Sequence, residues 1–144
     1  MSSPKRGHDA AWRAAWKMPS IPERAPTVYQ WMVQNVAGLT LGRYTDIGAF
    51  SYLNAAAGIV IEEDVQIGSH CALYSVSSID GLRGPIVLKR GCRIGSHSTI
   101  LPGVTIGEGT LVGAHSLVRS DLPAKVLAFG VPAKVVRPLG LEEL

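Results

Sequence analysis

Three histidines recur in one local context and are the residues of this sequence best suited to chemistry. His70, His97 and His115 each follow an aliphatic residue by three positions, and His97 and His115 are 18 residues apart. An imidazole can act as a general base near neutral pH, and three together can bind a zinc ion. An equally simple role is hydrogen bonding at a corner or an interface. Which role applies depends on the elements that carry the histidines.

An aliphatic residue at every sixth position runs through most of the chain. Three runs share this spacing, and their members are Leu41, Ile47, Leu53 and Ile59; Ile61, Ile67, Leu73 and Ile79; and Leu88, Ile94, Ile100, Ile106, Val112 and Val118. Glycine often follows the aliphatic residue, and a small or β-branched residue often stands four positions after it. A period of six fits neither an α-helix nor a simple amphipathic strand. It indicates a repeated unit of one short strand and one corner.

Three such units make a triangular coil of 18 residues, with aliphatic side chains inside and glycines where the backbone turns sharply. The predicted fold class is all-β, a left-handed parallel β-helix of about four to five coils with a short N-terminal helical segment and an extended C-terminal tail. We expect the N-terminal segment at residues 1–36, the β-helix at 37–120 and the tail at 121–144. The histidines should point outward near corners.

The repeat is interrupted at two places, and loops on a rigid scaffold are where sites tend to lie. The spacing falls to two residues between Ile59 and Ile61, and it rises to nine between Ile79 and Leu88. If the longer break replaces one repeat, His97 and His115 stack on one face and His70 lies on another. Two polar residues near the breaks, Asn54 and Asp80, are candidates for orienting a substrate. Either could instead cap a turn, which is common for Asn and Asp.

The two ends of the chain lack the repeat. Residues 1–25 contain Trp12 and Trp16 and should either dock through these tryptophans or remain mobile. Residues 27–36 are compatible with a short helix that caps the first coil. Prolines interrupt the last part of the chain and predict an extended tail (Pro123, Pro132 and Pro138).

The composition bounds the class of protein. Hydrophobic residues make up 47% and charged residues 17%, which argues against disorder and suggests apolar surface covered in an oligomer. A net charge of +3 is too small to indicate nucleic-acid binding, although basic residues near the end of the chain could bind a phosphorylated small molecule. The two cysteines form no spaced motif, so neither a zinc site nor a disulfide is indicated. With no membrane-spanning run and no signal peptide, we expect a cytoplasmic protein.

The segment from residue 94 to residue 139 is more specific than the repeat. It contains ILPGVTIG, VGAHS, SDLP and GVPAKVVR, and it resembles the hexapeptide-repeat acyltransferases, most of all the branch that acetylates sugars and xenobiotics. The resemblance implies a homotrimer with acetyl-CoA as acyl donor between adjacent subunits and an acceptor in the same groove. It also implies three pairs of cofactor contacts: Ser96 and Ala114 along the pantetheine, Arg119 and Ser120 where a Thr-Lys pair usually follows the last repeat, and Lys134 and Arg137 at the phosphates. Cationic donors suit phosphates, and Arg can bind them through two donors at once.

The catalytic histidine of these relatives is missing from its usual places. In the sugar O-acetyltransferases it lies in a stretch that corresponds to residues 77–80, and in the serine acetyltransferases an Asp-His pair corresponds to Asn54 and Ala55. We therefore take His97, which follows the predicted cofactor residue Ser96, as the first catalytic candidate and His70 as the second. Their predicted faces could meet in a cleft between neighbouring subunits. Because an amine needs less base assistance than a hydroxyl, the missing histidines favour an amino-sugar acceptor.

The predicted function is acetyl-CoA-dependent transfer of an acetyl group to an amino or hydroxyl group of a sugar, free or nucleotide-linked, in surface polysaccharide biosynthesis. Two alternatives stay open. A zinc-dependent enzyme of the carbonic anhydrase type has the same fold but needs three histidines that converge on one metal across an interface. A non-catalytic β-helix scaffold needs no base at all.

Overall fold

Short strands in five successive coils make up most of the computed structural model, which describes residues 8–144. In chain order, the strands are Met32–Gln34 (β1), Leu39–Leu41 (β2) and Asp46–Ile47 (β3) in the first coil; Tyr52–Asn54 (β4), Ile59–Ile61 (β5) and Gln66–Ile67 (β6) in the second; Ala72–Tyr74 (β7), Ile86–Leu88 (β8) and Arg93–Ile94 (β9) in the third; Thr99–Ile100 (β10), Thr105–Ile106 (β11) and Leu111–Val112 (β12) in the fourth; and Leu117–Val118 (β13) and Val126–Gly130 (β14) in the fifth, followed by Ala133–Pro138 (β15).

Equivalent strands of successive coils pair in parallel and form three sheets. Sheet A contains β1, β4, β7, β10 and β13; sheet B contains β2, β5, β8 and β11; sheet C contains β3, β6, β9, β12 and β14, with β15 added antiparallel to β14. The predicted parallel β-helix is therefore confirmed.

The aliphatic residues of the six-residue pattern fill the interior. Leu53, Leu73, Ile100 and Val118 lie in register in sheet A, and each is at most 1% exposed. Full burial of such a side chain stabilises the fold by about 1.5 to 3 kcal/mol. Small residues at the corners close the coils by hydrogen bonds; the Ser98 hydroxyl, for example, donates to the carbonyl of Gly113 at 3.2 Å. The repeat therefore specifies both the aliphatic side chains of the core and the small residues of the corners.

Glycine follows the aliphatic residue because successive coils approach closely at that position. A Cβ added to Gly95 would lie 2.4 Å from the backbone nitrogen of Ala114, and Gly48 and Gly68 of this column are similarly close to the backbone of the next coil. At Gly113 the nearest atom is the Cβ of Phe129, at 2.9 Å. The crowding comes from the next coil, which lies about 4.8 Å away. The glycines therefore permit the stacking of the corners.

Coil length varies although the coils stay in register. Leu53 pairs with Leu73, Leu73 with Ile100 and Ile100 with Val118, so the successive coils contain 20, 27 and 18 residues. The expectation that the nine-residue break replaces one repeat is wrong. Ile79, taken as a core position, is 96% exposed, and the buried residue at the start of the next strand is Ile86. The break is a loop added to a complete coil.

An N-terminal arm, residues 8–19, lies against the corner between sheets B and C. Its helix, Ala10–Ala15 (α1), begins after Asp9, whose side chain accepts a hydrogen bond from the Trp12 backbone N–H. The indole N–H of Trp16 donates to the carbonyl of Thr45 at 2.9 Å, so the prediction of docking through the tryptophans is confirmed for this part. Residues 1–7 of the predicted segment lie outside the described residues. No helix within residues 8–144 is long and apolar enough to cross a membrane.

The helix expected at residues 27–36 is wrong. This segment contains strand β1 and runs into a 3-10 helix at Val36–Gly38. Trp31 and Val33 are both buried and alternate with the less buried Met32 and Gln34, which is the period of a strand. The paired strands therefore begin before residue 37.

The C-terminal part is more regular than predicted. β14 continues sheet C parallel to β12, and β15 returns along it as an antiparallel strand. The extended tail expected after residue 120 is wrong for this stretch, because Ala128 is fully buried and closes the fifth coil. A 3-10 helix at Leu141–Glu143 follows.

Candidate active site

Three exposed histidines form a stack at the corner between sheets C and A, here called the histidine corner. The ring centroids of His70 and His97 are 4.7 Å apart, and those of His97 and His115 are 4.8 Å apart, with ring planes within 6° of parallel. Phe50 continues the stack, with its ring 5.1 Å from that of His70. Within residues 8–144 no ring nitrogen of these three histidines has a hydrogen-bond partner. The free edges of three imidazoles thus face the surroundings.

The corner geometry explains the stack. Phe50 and the three histidines occupy the same position of successive coils, and each has a φ between 57° and 66°. His70, His97 and His115 each donate their backbone N–H to a carbonyl of the preceding coil's corner, at 2.9 to 3.0 Å. The expectation that His70 lies on another face is wrong, because the nine extra residues form a loop and leave the phase of the coil unchanged. The pairing of His97 and His115 on one face is confirmed.

Small residues stand beside the histidines. Ser69, Ser96 and Ala114 directly precede them, and the crowded glycines of sheet C come two positions before them. Phe129 lies next to Gly113 at the C-terminal end of this column, and Lys134 on β15 pairs with Phe129. The predicted cofactor residues Ser96, Ala114 and Lys134 are therefore brought to one corner together with both catalytic candidates.

The remaining predicted residues of this face lie across sheet A, at the corner between sheets A and B, here called the loop corner. Asn54 ends β4, Arg119 and Ser120 follow β13, and Asp80 lies on the added loop at residues 76–85. Asn54 Oδ1 accepts a hydrogen bond from the backbone N–H of Ala56 at 3.1 Å, and Asp80 Oδ1 accepts one from that of Leu82 at 3.0 Å. The hydrogen bond from Leu82 lowers the pKa of Asp80 below its ordinary value. Both candidates thus cap turns, while sheet A separates them from the histidines.

Two tyrosines on the outer face of sheet A were missed by the sequence reasoning. The rings of Tyr52 and Tyr74 lie 5.9 Å apart at an angle of 51°, and the Tyr52 hydroxyl donates to Gln34 Oε1 at 2.5 Å. Partial burial raises the pKa of Tyr52. Asn54 pairs with Tyr74 in the strand register, so the predicted acceptor residue borders this cluster. The six-residue spacing gave no signal for them, because Tyr52 pairs with Ala72 and Tyr74 with Asn54, so the two tyrosines are diagonal neighbours on adjacent strands.

Arg137 is separated from the other cofactor candidates. Its guanidinium donates two hydrogen bonds of 2.9 Å to the carboxylate of Glu143, which lowers the pKa of Glu143 to about 2. The fork that would bind a phosphate is occupied by this carboxylate, so Lys134 is the better placed of the two predicted cations.

The sequence comparisons identify the repeat. The family model described as bacterial transferase hexapeptide (six repeats) matches residues 85–120, which include His97 and His115. The chain is therefore built on a hexapeptide repeat, and residues 85–120 are similar to the repeat of bacterial transferases. WcaF of Escherichia coli K12, named as an acetyltransferase of colanic acid biosynthesis, is 35% identical over 109 residues, which are 76% of this chain and 55% of WcaF. The chain thus spans little more than half the length of this curated relative.

Solved structures share the fold of this hexapeptide-repeat protein. A hexapeptide-repeat acetyltransferase of Vibrio cholerae in complex with acetyl-CoA is 29% identical with a TM-score of 0.71, covering 76% of this chain and 65% of the other. Galactoside acetyltransferase in complex with coenzyme A is 27% identical with a TM-score of 0.70, covering 83% of this chain and 64% of the other. The resemblance to hexapeptide-repeat acyltransferases is confirmed.

The hexapeptide-repeat chain does not gather its histidines around one point. The three rings stand in parallel in a row, and no group of three or more His, Cys, Asp or Glu residues in the described part of the chain is arranged to hold a metal ion. Cys71 and Cys92 are buried and form no disulfide among the described residues, and burial raises the pKa of Cys71. Among the described residues, nothing favours a zinc site over a histidine that acts as a general base.

Proposed function

We propose that this hexapeptide-repeat chain is an acetyltransferase that uses acetyl-CoA to acylate a sugar, free or nucleotide-linked, for a surface polysaccharide. One observation carries the proposal: three exposed imidazoles, whose ring nitrogens have no hydrogen-bond partner among the described residues, border a column of small residues. The repeat that contains His97 and His115 matches the bacterial transferases. The relatives point the same way, since WcaF is named for colanic acid biosynthesis and the Vibrio cholerae structure contains acetyl-CoA.

The histidine corner fits the acyl donor. Ser96 and Ala114 carry small side chains there, and the glycines two positions before His97 and His115 have none, so a thin pantetheine chain can approach the backbone. Lys134 is exposed at the end of the column and has no carboxylate partner among the described residues, which suits a phosphate. Acetyl-CoA supplies the acyl group as a thioester. In this proposal residues 121–144 contribute to its binding.

His97 is the proposed base. Its imidazole takes the proton from the attacking hydroxyl or amine of the acceptor and later returns it to the departing thiolate, as a general base and acid. It lies in the middle of the stack, where His70 and His115 hold its ring from both sides at 4.7 and 4.8 Å. His70 is the second candidate, because it presents the same exposed edge one coil away.

The acceptor is proposed to lie on the outer face of sheet A, between the histidine corner and the loop corner. Tyr52 and Tyr74 offer apolar ring surfaces with polar edges, and Asn54 offers an amide in register with Tyr74. Asp80 offers a carboxylate on the loop at residues 76–85. An amino-sugar acceptor is favoured, since its free amine attacks before it must lose a proton.

The predicted cofactor residues lie at two different corners of the subunit, and this supports a homotrimer. Ser96, Ala114 and Lys134 lie at the histidine corner, whereas Arg119 and Ser120 lie at the loop corner across sheet A. Residues of both corners could contact one donor molecule if the loop corner of one subunit faces the histidine corner of the next. A cytoplasmic location is part of the proposal.

The test is thiol release from acetyl-CoA with a panel of amino and neutral sugars, free and nucleotide-linked. His97→Asn, His70→Asn and His115→Asn are the matched variants, because asparagine tolerates the left-handed backbone at these positions. We expect His97→Asn to lower kcat by about 10²-fold or more, the usual contribution of a general base. Equal activity of all three variants would exclude His97 as the base. If no panel member causes thiol release and acetyl-CoA does not raise the melting temperature, the acetyltransferase proposal fails.

A further inference from the structure

A cavity of about 170 Å³ lies between the N-terminal arm and the first coil, away from the histidine corner. All three tryptophans of the chain line it, as do Tyr29 and the aliphatic residues Leu41 and Ile47. Trp31 is 3% exposed and belongs to the core, so it closes the cavity from the side of the β-helix. Four aromatic side chains therefore surround one small space.

The aromatic walls are held in place by hydrogen bonds, an ion pair and ring contacts. The ring of Trp12 stacks on His8 with centroids 3.7 Å apart, and His8 Nε2 lies 2.6 Å from Asp46 Oδ2. The indole N–H of Trp16 is bound to the carbonyl of Thr45. Arg13 anchors the same helix through an ion pair with Asp64 and through the face of Tyr44, 3.9 Å from its guanidinium carbon. The cavity is thus a space with fixed walls.

One carboxylate and one ammonium group line the cavity. Asp46 is paired with His8, whereas Lys17 is exposed and forms no ion pair among the described residues. A ligand with one negative charge can pair with Lys17. The volume matches a single ring, since an apolar cavity of about 150 Å³ accepts benzene.

We propose that this cavity binds a small aromatic carboxylate, with its ring between the tryptophans and its carboxylate toward Lys17. Aromatic walls prefer an aromatic ring because edge and face contacts add to the area buried. The carboxylate stays at the mouth beside Lys17, where water still reaches it, and this avoids the cost of burying an unpaired charge. The site is independent of the acetyltransferase proposal.

Intrinsic fluorescence tests the proposal directly, because every tryptophan of the chain lines the cavity. The full chain is titrated with benzoate and, as matched probes, with toluene, cyclohexanecarboxylate and hexanoate. We expect saturable quenching by benzoate and binding of benzoate about threefold or more tighter than that of cyclohexanecarboxylate, the gain expected from aromatic contacts. Hexanoate should bind more weakly than benzoate.

Substitutions at two positions test the ring contacts and the charge of the ligand separately. Lys17→Met should weaken benzoate about twofold to fivefold, as for a solvent-accessible ion pair, and leave toluene unchanged. Trp16→Ala should abolish saturation by both probes, while Trp16→Phe should retain it. Leu82→Ala, on the exposed loop at residues 76–85, is the control that changes nothing. Absence of saturation in the unchanged protein, equal binding of hexanoate and benzoate, or an unaltered benzoate affinity in Lys17→Met would each overturn the proposal.

Discussion

Adding one methyl group at Gly95 should disturb both the stability of the β-helix and the histidine stack. The new Cβ would lie 2.4 Å from the Ala114 nitrogen, whereas ordinary contacts begin at 3.4 Å, so the next coil must move by about 1 Å. That coil is held at this corner by the hydrogen bonds from Gly95 N to Val112 O and from His115 N to Ser96 O, at 2.8 and 2.9 Å. Loss of both bonds costs about 2 kcal/mol, and overpacking adds about 1 kcal/mol or more.

The assay is thermal and urea unfolding of Gly95→Ala, with the ring protons of His97 and His115 followed by NMR. A loss of about 3 kcal/mol corresponds to a fall in melting temperature of roughly 10 °C for a chain of this size. Gly81→Ala is the matched control: φ there is +76°, but nothing lies within 4 Å of the added Cβ, so only backbone strain of about 1 kcal/mol is expected. If Gly95→Ala is no less stable than the control and the ring signals do not shift, the close approach of the coils does not limit this corner.

Three further outcomes follow from single positions. Leu73→Ala should lower the free energy of unfolding, measured in urea, by about 2 to 5 kcal/mol, because removal of the fully buried side chain leaves a cavity between coils. A loss below about 1 kcal/mol would mean that the coils collapse into that cavity. His97→Val should lose about 1 to 2 kcal/mol relative to His97→Asn in the same assay, because a β-branched residue strains the φ of 60°, and equal stabilities would contradict this. The pKa of Glu143, about 2, lies below its ordinary 4.5, so its stabilising effect is complete above about pH 4.5 and is lost as the pH falls through about 2. In Arg137→Ala an NMR titration should show the pKa of Glu143 rising toward 4.5, and an unchanged value would assign the shift to the Gly140 backbone instead.

The core could be predicted from the sequence because it depends on one repeated constraint. Leu53, Leu73, Ile100 and Val118 each occupy a strand position that faces the interior, and the repeat marks such positions directly. The segment at residues 27–36 was misread because it contains a single strand, which is too short to show the period. Val33 is buried there by pairing of β1 with β4, a contact between residues 20 positions apart.

The position of His70 shows where reasoning from the repeat reaches its limit. A count of residues treats an insertion as extra length of the coil, so the nine-residue break predicts that His70 lies on another face. In the structure the insertion leaves and rejoins the coil at one place: Gly84 N donates to Ser75 O at 2.9 Å, and Val76 pairs with Arg83. Sequence spacing cannot distinguish the two cases, because both keep an aliphatic residue inside.

In the proposed function, this closure of the loop lets one scaffold carry both the proposed base and the proposed acceptor-binding surface. The distance between successive coils, about 4.8 Å, sets the spacing of the imidazoles. The loop at residues 76–85 lies at the opposite border of sheet A, where its two ends pair with each other. Changes in the length or composition of the loop therefore leave the histidine corner in register. The exposed Ile79 belongs to the stretch that, by the resemblance given in the sequence analysis, corresponds to the catalytic histidine of the sugar O-acetyltransferases, so the proposed base of this chain comes from the coils. Among the described residues, the imidazoles of His70, His97 and His115 are the ones that the coils present.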